Sequence, residues 1–251
     1  MSSTVLFQSD DHANILLPDQ DAGEGVQSNQ HLIVHGGEAL LLDPGGTKLY
    51  PKVLKAVAQN KGKAKLTKIF LSHQDPDIVA AINGWLMTTD ADAWLSALWR
   101  RFVPHFGSDR LVYERIRPIP DEGMKLDLGG SELVIVPAHF LHSVGNFHLY
   151  DPTSRILYTG DMGVSLGLDH REVTDFEAHI PNMEVFHTRY MSSNAAVRAW
   201  VAMVRKMDVQ TIAPQHGAML VGPEMVAKFL DWIEGLDVGI DAMPDVFKLP
   251  S

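Results

Sequence analysis

No cysteine occurs anywhere in the 251-residue chain. That absence removes disulfides, thiolate nucleophiles, iron–sulfur clusters and cysteine-ligated zinc together, so a metal must sit on His, Asp and Glu. Basic residues are the scarcer charge: 21 Lys and Arg against 31 Asp and Glu leave a net charge of -10, which argues against nucleic acid as a partner. The Lys-rich run from Lys61 to Lys68 reads as a solvated turn. Long apolar runs are missing too. None approaches the roughly 20 residues of a membrane span, and Met1 to Asp11 lacks the pattern of a secretion signal. The expectation is a cytoplasmic protein with neither a nucleic acid nor a membrane partner. Core-forming residues are plentiful, at 45% hydrophobic, and no linker or shift in composition interrupts them, which predicts a single domain over residues 1–251.

Short apolar runs at 5–7, 14–17, 31–35 and 39–42, the last closing on Asp43-Pro-Gly-Gly, predict a meander of strands. Apolar residues at helical intervals predict a helix over 49–59, and 68–71 has strand length. Pro76 fits the first turn of a helix continued by Ile78, Ala81, Ile82 and Trp85, and another helix is expected over 97–103. Strands are expected again at 113–119, 124–128, 132–136, 146–150 and 155–158. Val197, Trp200, Val201, Val204 and Met207 form an amphipathic stripe, 210–213 reads as a strand, and 223–233 as a last helix.

The densest chemistry is Leu-Ser-His-Gln-Asp-Pro-Asp-Ile at 71–78, with His73, Asp75 and Asp77 at alternate positions. One imidazole and two carboxylates so close together point to a two-metal site, and the hard oxygen donors favour iron or manganese over all-nitrogen zinc. Three more candidates each follow an apolar run: His142 in Pro-Ala-His-Phe-Leu-His-Ser, Asp161 in Leu-Tyr-Thr-Gly-Asp-Met-Gly, and His216 in Ala-Pro-Gln-His-Gly. In layered sheet structures such strand ends gather at one edge. Singly, each has an ordinary reading. Asp75 or Asp77 can cap a helix, Asp161 can be a turn aspartate and His216 a turn histidine. His139 competes with His142, and chemistry alone does not choose between them. The remaining histidines, among them His12, His31, His35, His105, His170 and His187, read as surface or core residues. As an ordered series the six candidates outweigh these separate readings.

His73-x-Asp75-x-Asp77, then His142, Asp161 and His216, resembles the metallo-β-lactamase superfamily and, more narrowly, its flavodiiron branch. Asp75 stands where the wider His-x-His-x-Asp-His signature has its second histidine. Asp43-Pro-Gly-Gly resembles the superfamily's first aspartate motif. His142-Ser-Val-Gly-Asn-Phe resembles the flavodiiron segment around the third ligand, which selects His142 over His139. The resemblance covers nearly the whole chain. It implies an α/β (α+β) fold, the metallo-β-lactamase-like αββα sandwich of two mixed sheets flanked by helices, with the site at one edge. It also implies that His73, Asp75 and His142 hold one metal, Asp77 and His216 a second, and that Asp161 bridges them.

The sequence departs from the flavodiiron pattern in two places. Ile78 replaces the last histidine of the signature and is expected to line an open coordination position. After His216 the chain runs on only from Gly217 to Ser251, so neither a flavodoxin domain with its FMN nor a rubredoxin domain is expected. The resemblance is therefore greatest to stand-alone oxygen-binding diiron proteins, with segments such as Phe186-His-Thr-Arg-Tyr-Met-Ser-Ser-Asn in common. It implies a non-haem diiron protein that senses, stores or reduces dioxygen through a diferrous centre forming a peroxo-type adduct. Two iron ions are the expected cofactors, with zinc or manganese as alternatives. Tyr190 falls near a tyrosine often found in flavodiiron proteins and is expected to donate a hydrogen bond to that adduct. As an enzyme the protein would be an O2 or NO reductase fed by an external electron donor; otherwise a signalling partner is expected. A homodimer is also implied, with Trp94, Trp99, Trp200 and Trp232 as interface or core residues. The competing expectation is a metal-dependent hydrolase using a bridging hydroxide. The anionic Asp75 weakens the Lewis acidity such a reaction needs, which favours oxygen.

Overall fold

The computed structural model describes residues 2–18, 25–106, 113–167 and 170–249. Two sheets face each other. The first is built in sequence order from β1 (Thr4–Gln8), β2 (His12–Leu16), β3 (His31–His35), β4 (Glu38–Leu42), β5 (Lys65–Phe70), β6 (Asp92–Ser96) and β7 (Ile116–Ile119). Its first four strands are antiparallel and its last four parallel, so it is mixed. The second holds β8 (Met124–Leu128), β9 (Ser131–Pro137), β10 (Phe147–Asp151), β11 (Ile156–Tyr158), β12 (Thr211–Ala213) and β13 (Leu220–Val221), in the order β13-β12-β11-β10-β9-β8.

Strand alternation separates the layers. In β4, Leu40 and Leu42 point between the sheets while Ala39 and Leu41 point outward. In β10, Phe147 and Leu149 join the same central layer, which also takes Leu16, Ile33, Phe70, Leu133 and Ile135. The outer face of the first sheet is covered by α1 (Tyr50–Asn60), α2 (Pro76–Val79) and α3 (Ile82–Thr88) through Val53, Val57, Ile82 and Trp85. The outer face of the second is covered by α5 (Phe176–Tyr190), α6 (Asn194–Val204) and α7 (Pro223–Gly235) through Met183, Val197, Trp200, Val201, Phe229 and Ile233. The short helices α4 (Ala97–Arg100) and α8 (Gly239–Ala242) complete the described set. Helices outside two mixed sheets form the expected αββα sandwich. No helix among the described residues is long and apolar enough to cross a membrane.

Several local expectations are corrected. The helix expected from Pro76 to Trp85 is two helices, because Ala81 (φ -91°, ψ 2°) leaves helical geometry between them. The helix expected over 97–103 ends at Arg100 and gives way to a 3₁₀ turn, Val103–Phe106, where Pro104 brings no N–H to continue an α-helical ladder. Tyr113 precedes the strand expected to begin there, which starts at Ile116. The C-terminal part of the Lys61 to Lys68 run is strand rather than turn, and Lys68 pairs with Glu38 at 2.6 Å across β4 and β5. β6 and α5 carry no sequence expectation. In α5 the buried positions are Phe176, His179, Met183 and His187, so two histidines stand where an apolar stripe would announce a helix, and Pro181 interrupts the pattern.

Candidate metal centre

Strand direction explains why distant residues meet. β9 and β11 are each antiparallel to β10, and β12 is parallel to β11, so β9, β11 and β12 run the same way. His142, Asp161 and His216 follow those three strands and emerge at one edge. His73, Asp75 and Asp77 follow β5 and start α2. Asp43 ties the two sides together: its Oδ1 accepts the Ser72 N–H at 2.8 Å, and Ser72 Oγ lies 2.9 Å from His73 Nδ1. The Phe147 N–H donates to the Ser72 carbonyl, joining the β5 loop to β10. Gly160 adopts φ +50°, and a Cβ there would stand 2.9 Å from Ser72 Oγ, so both conformation and close approach require glycine beside Asp161.

All six expected residues converge. His73 Nε2 lies 3.6 Å from Asp75 Oδ2 and 3.7 Å from Asp161 Oδ2. His142 Nε2 lies 2.9 Å from Asp161 Oδ2, 3.6 Å from Asp75 Oδ2 and 3.3 Å from His73 Nε2. On the other side, His216 Nε2 lies 3.4 Å from Asp161 Oδ1 and 3.3 Å from Asp77 Oδ2. The Asp161 carboxylate thus divides its oxygens between a His73–Asp75–His142 group and an Asp77–His216 group. His139 lies apart, its Nε2–H donating to the Asp121 carbonyl at 2.7 Å.

Charges are strongly coupled here. Burial works against charge on the His73 ring, but Asp161, Asp75 and Asp43 push its pKa up to about 9. Burial likewise disfavours the Asp161 carboxylate, yet His73, His142 and His216 hold it well below the usual carboxylate range. Burial raises Asp43 to about 6 against the opposing pull of the Ser72 N–H and His73.

The donor set fits a pair of hard or borderline cations. Ligand atoms of His73, Asp75, His142 and Asp161 lie within 4.8 Å of one another. Asp161 Oδ1 is buried and accepts no hydrogen bond, an orphaned acceptor that a cation would satisfy. The donors are nitrogen and oxygen only, which suits iron or manganese.

Two glutamines, Gln74 beside His73 and Asp75 and Gln215 beside His216, hold the carboxylates of Asp75 and Asp77, and neither carries a sequence expectation. Gln74 Nε2 donates to Asp75 Oδ1 at 3.0 Å, and its carbonyl accepts from Ser143 Oγ. Gln215 Nε2 donates to Asp77 Oδ2 at 3.2 Å. His216 Nδ1–H donates to the Gln27 carbonyl at 2.6 Å, orienting its ring. The positions of Gln74 and Gln215 inside His-Gln-Asp and Pro-Gln-His were the available signal.

A cavity of about 530 Å³ opens over the cluster, bounded by Asp75, Asp77, His142, Asp161 and His216 and walled by Val26, Val164, Leu166, Val185 and Phe186. Tyr190, the last residue of α5, stands at its rim, stacked on Phe186 at 4.7 Å and edge-on to His142 at 6.0 Å. Ile78 does not line this cavity. It is wholly buried in the core layer with Leu49, Val53 and Val79, and the apolar wall expected of it comes from Val164, Leu166 and Phe186 instead. Of the tryptophans, Trp200 is core and Trp94, Trp99 and Trp232 are partly buried against it.

The chain is similar over most of its length to proteins of known structure. A solved structure described as the peroxy diiron species of chemotaxis sensor ODP is 43% identical, covering 98% of this chain and 100% of that chain with a TM-score of 0.87. The apo state of chemotaxis sensor ODP from T. denticola is 41% identical, covering 98% of this chain and 99% of that one with a TM-score of 0.85. Diflavin flavoprotein A 1 of Synechocystis sp. is 26% identical over 220 residues, 84% of this chain, and the chain spans 37% of that relative's length. A model of the family described as ODP family beta lactamase matches residues 26–217, a span that contains all six converging residues. With its two-sheet sandwich and this match over most of its length, the chain belongs to the ODP family beta lactamase family.

Proposed function

We propose that the chain is an oxygen-binding diiron protein. His73, Asp75 and His142 would hold one iron, Asp77 and His216 the other, with Asp161 shared. The observation that carries this reading is the division of the buried Asp161 carboxylate between two His–Asp groups, Oδ2 toward His142 and Oδ1 toward His216. Its support from outside the chain is a 43% identical relative whose structure is described as a peroxy diiron species.

When bound, a ferrous pair supplies the electrons that dioxygen takes up. The protein's own groups set the conditions. Gln74 and Gln215 hold Asp75 and Asp77 in place through N–H donors. The Gln27 carbonyl fixes the His216 ring so that Nε2 faces Asp77 and Asp161. Val164, Leu166 and Phe186 give the cavity apolar walls, which suit a neutral diatomic. Tyr190 places a phenol at the rim, so its O–H would be a hydrogen-bond donor beside the cavity. A signalling partner or external electron donor, a homodimeric state and a cytoplasmic location belong to the same proposal.

The test is anaerobic purification followed by iron analysis and absorption spectra before and after exposure to air. About two irons per chain and a new visible band on oxygen exposure are expected. The cavity, at about 530 Å³, far exceeds a diatomic and favours one second reading, a hydrolase with an organic substrate. Stoichiometric zinc, no spectral change in air and turnover of a generic ester would replace the first reading by the second.

A further inference from the structure

A second cavity, of about 230 Å³, shares no lining residue with the one over the metal cluster yet reaches the same ligand loop. Val79, Leu95, Trp99, Phe102, Val103 and Phe106 wall it, and Gln74, between the ligands His73 and Asp75, is its remaining lining residue. Its few polar groups are already engaged. Gln74 donates to Asp75 and accepts from Ser143, and the Trp99 indole N–H donates to the Val144 carbonyl at 2.6 Å. A polar or charged molecule entering this space would give up its hydration without replacement. Water would find too few partners, whereas apolar cavities of about 150 Å³ take up xenon or benzene. Phe102 and Phe106, both lining residues, are 40% and 36% exposed, so the space communicates with solvent.

We propose that this cavity is a holding site for dioxygen, separate from the metal centre and one loop away from it. The inference rests on the oxygen-binding reading above, which supplies the neutral apolar molecule for which such walls are suited. Dioxygen held here collects beside Gln74, whose amide is bonded to the ligand Asp75 and to Ser143, the neighbour of His142. The side chain that closes the cavity's polar end is therefore also the one that steadies the cluster.

Diffraction from xenon-pressurised crystals of the iron-loaded protein tests the site directly. A xenon atom between Leu95, Trp99 and Val103 is expected, and Val103→Phe should abolish it. The same variant should retain its iron and react with dioxygen several-fold more slowly in stopped-flow measurements. An empty cavity under xenon, or an unchanged oxygen rate in a folded, iron-replete Val103→Phe protein that has lost the xenon site, would overturn the inference. If Val103→Phe does not fold, the xenon result on the parent protein decides. Xenon in the cavity of a protein whose irons fail to react with dioxygen would sink the function proposed above. It would leave an apolar gas site without that role, and so overturn the assignment to dioxygen as well. An empty cavity beside a normal oxygen reaction would sink only the inference.

Discussion

Asp161 and His142 meet at 2.9 Å, Oδ2 to Nε2, while the other Asp161 oxygen is turned to His216 at 3.4 Å. Asp161→Asn replaces one of those oxygens by an amide nitrogen, which cannot bind a cation. Iron content is expected to drop from two per chain toward one or none, read by metal analysis after anaerobic loading. Full occupancy with an unchanged spectrum would refute the bridging role.

Gln74 and Gln215 each donate to a carboxylate of the cluster, Asp75 and Asp77 respectively. Gln74→Ala and Gln215→Ala are expected to weaken iron binding by about 10–100-fold, the usual effect of losing a partner behind a ligand. Competition with a chelator measures this. Circular dichroism should remain that of the parent, and affinities equal to the parent's would show that the aspartates need no such support.

Tyr190 is 56% exposed at the cavity rim and Ile78 is wholly buried, so their substitution should separate function from stability. Tyr190→Phe is expected to change folding stability by no more than about 0.5 kcal/mol while shortening the lifetime of the oxygen-induced absorption band. Ile78→Ala leaves a hole in the core and should cost about 2–5 kcal/mol in denaturant unfolding. A negligible cost at Ile78 would contradict its place in that core layer.

His31 is buried edge-on against Tyr158, and burial, followed by the nearby Arg171, lowers its pKa to about 3. In the unfolded chain a histidine titrates near about 6.5. Between these values the unfolded state binds a proton that the folded state does not, so the stability tied to neutral His31 is present above about pH 6.5 and is lost as pH falls toward 3. His31→Phe removes this term while leaving distant titrations common to both proteins. The stability difference, measured by urea unfolding, should move in favour of the variant between pH 7 and pH 5. A difference independent of pH would remove His31 from the account.

The six converging residues were legible as a series because strand-end placement repeats: an apolar run, then a nitrogen or oxygen donor, at His73, His142, Asp161 and His216. α5 was not legible, since its buried positions include His179 and His187 and Pro181 breaks the pattern. Yet α5 supplies Asn182, Val185, Phe186 and Tyr190 to the cavity. Ile78 was misplaced for a different reason. Its position after Asp77 carries no information about which way the side chain turns, and α2 turns it into the core.

The sequence by itself determined the donor types, their order and the lack of cysteine sulfur, because ligand chemistry belongs to the residue and needs no geometry to be read. It also determined a mixture of strands and helices, through the short apolar runs and the stripe of α6, and the layered sandwich was what the family resemblance implied. Only the tertiary structure placed glutamines behind Asp75 and Asp77, turned Ile78 into the core and laid the end of α5 along the cavity. Those outcomes depend on which strand ends share an edge and which way each loop turns there. Both are properties of long-range pairing, such as β9 with β10 and β11 with β12, that no local stretch of sequence contains.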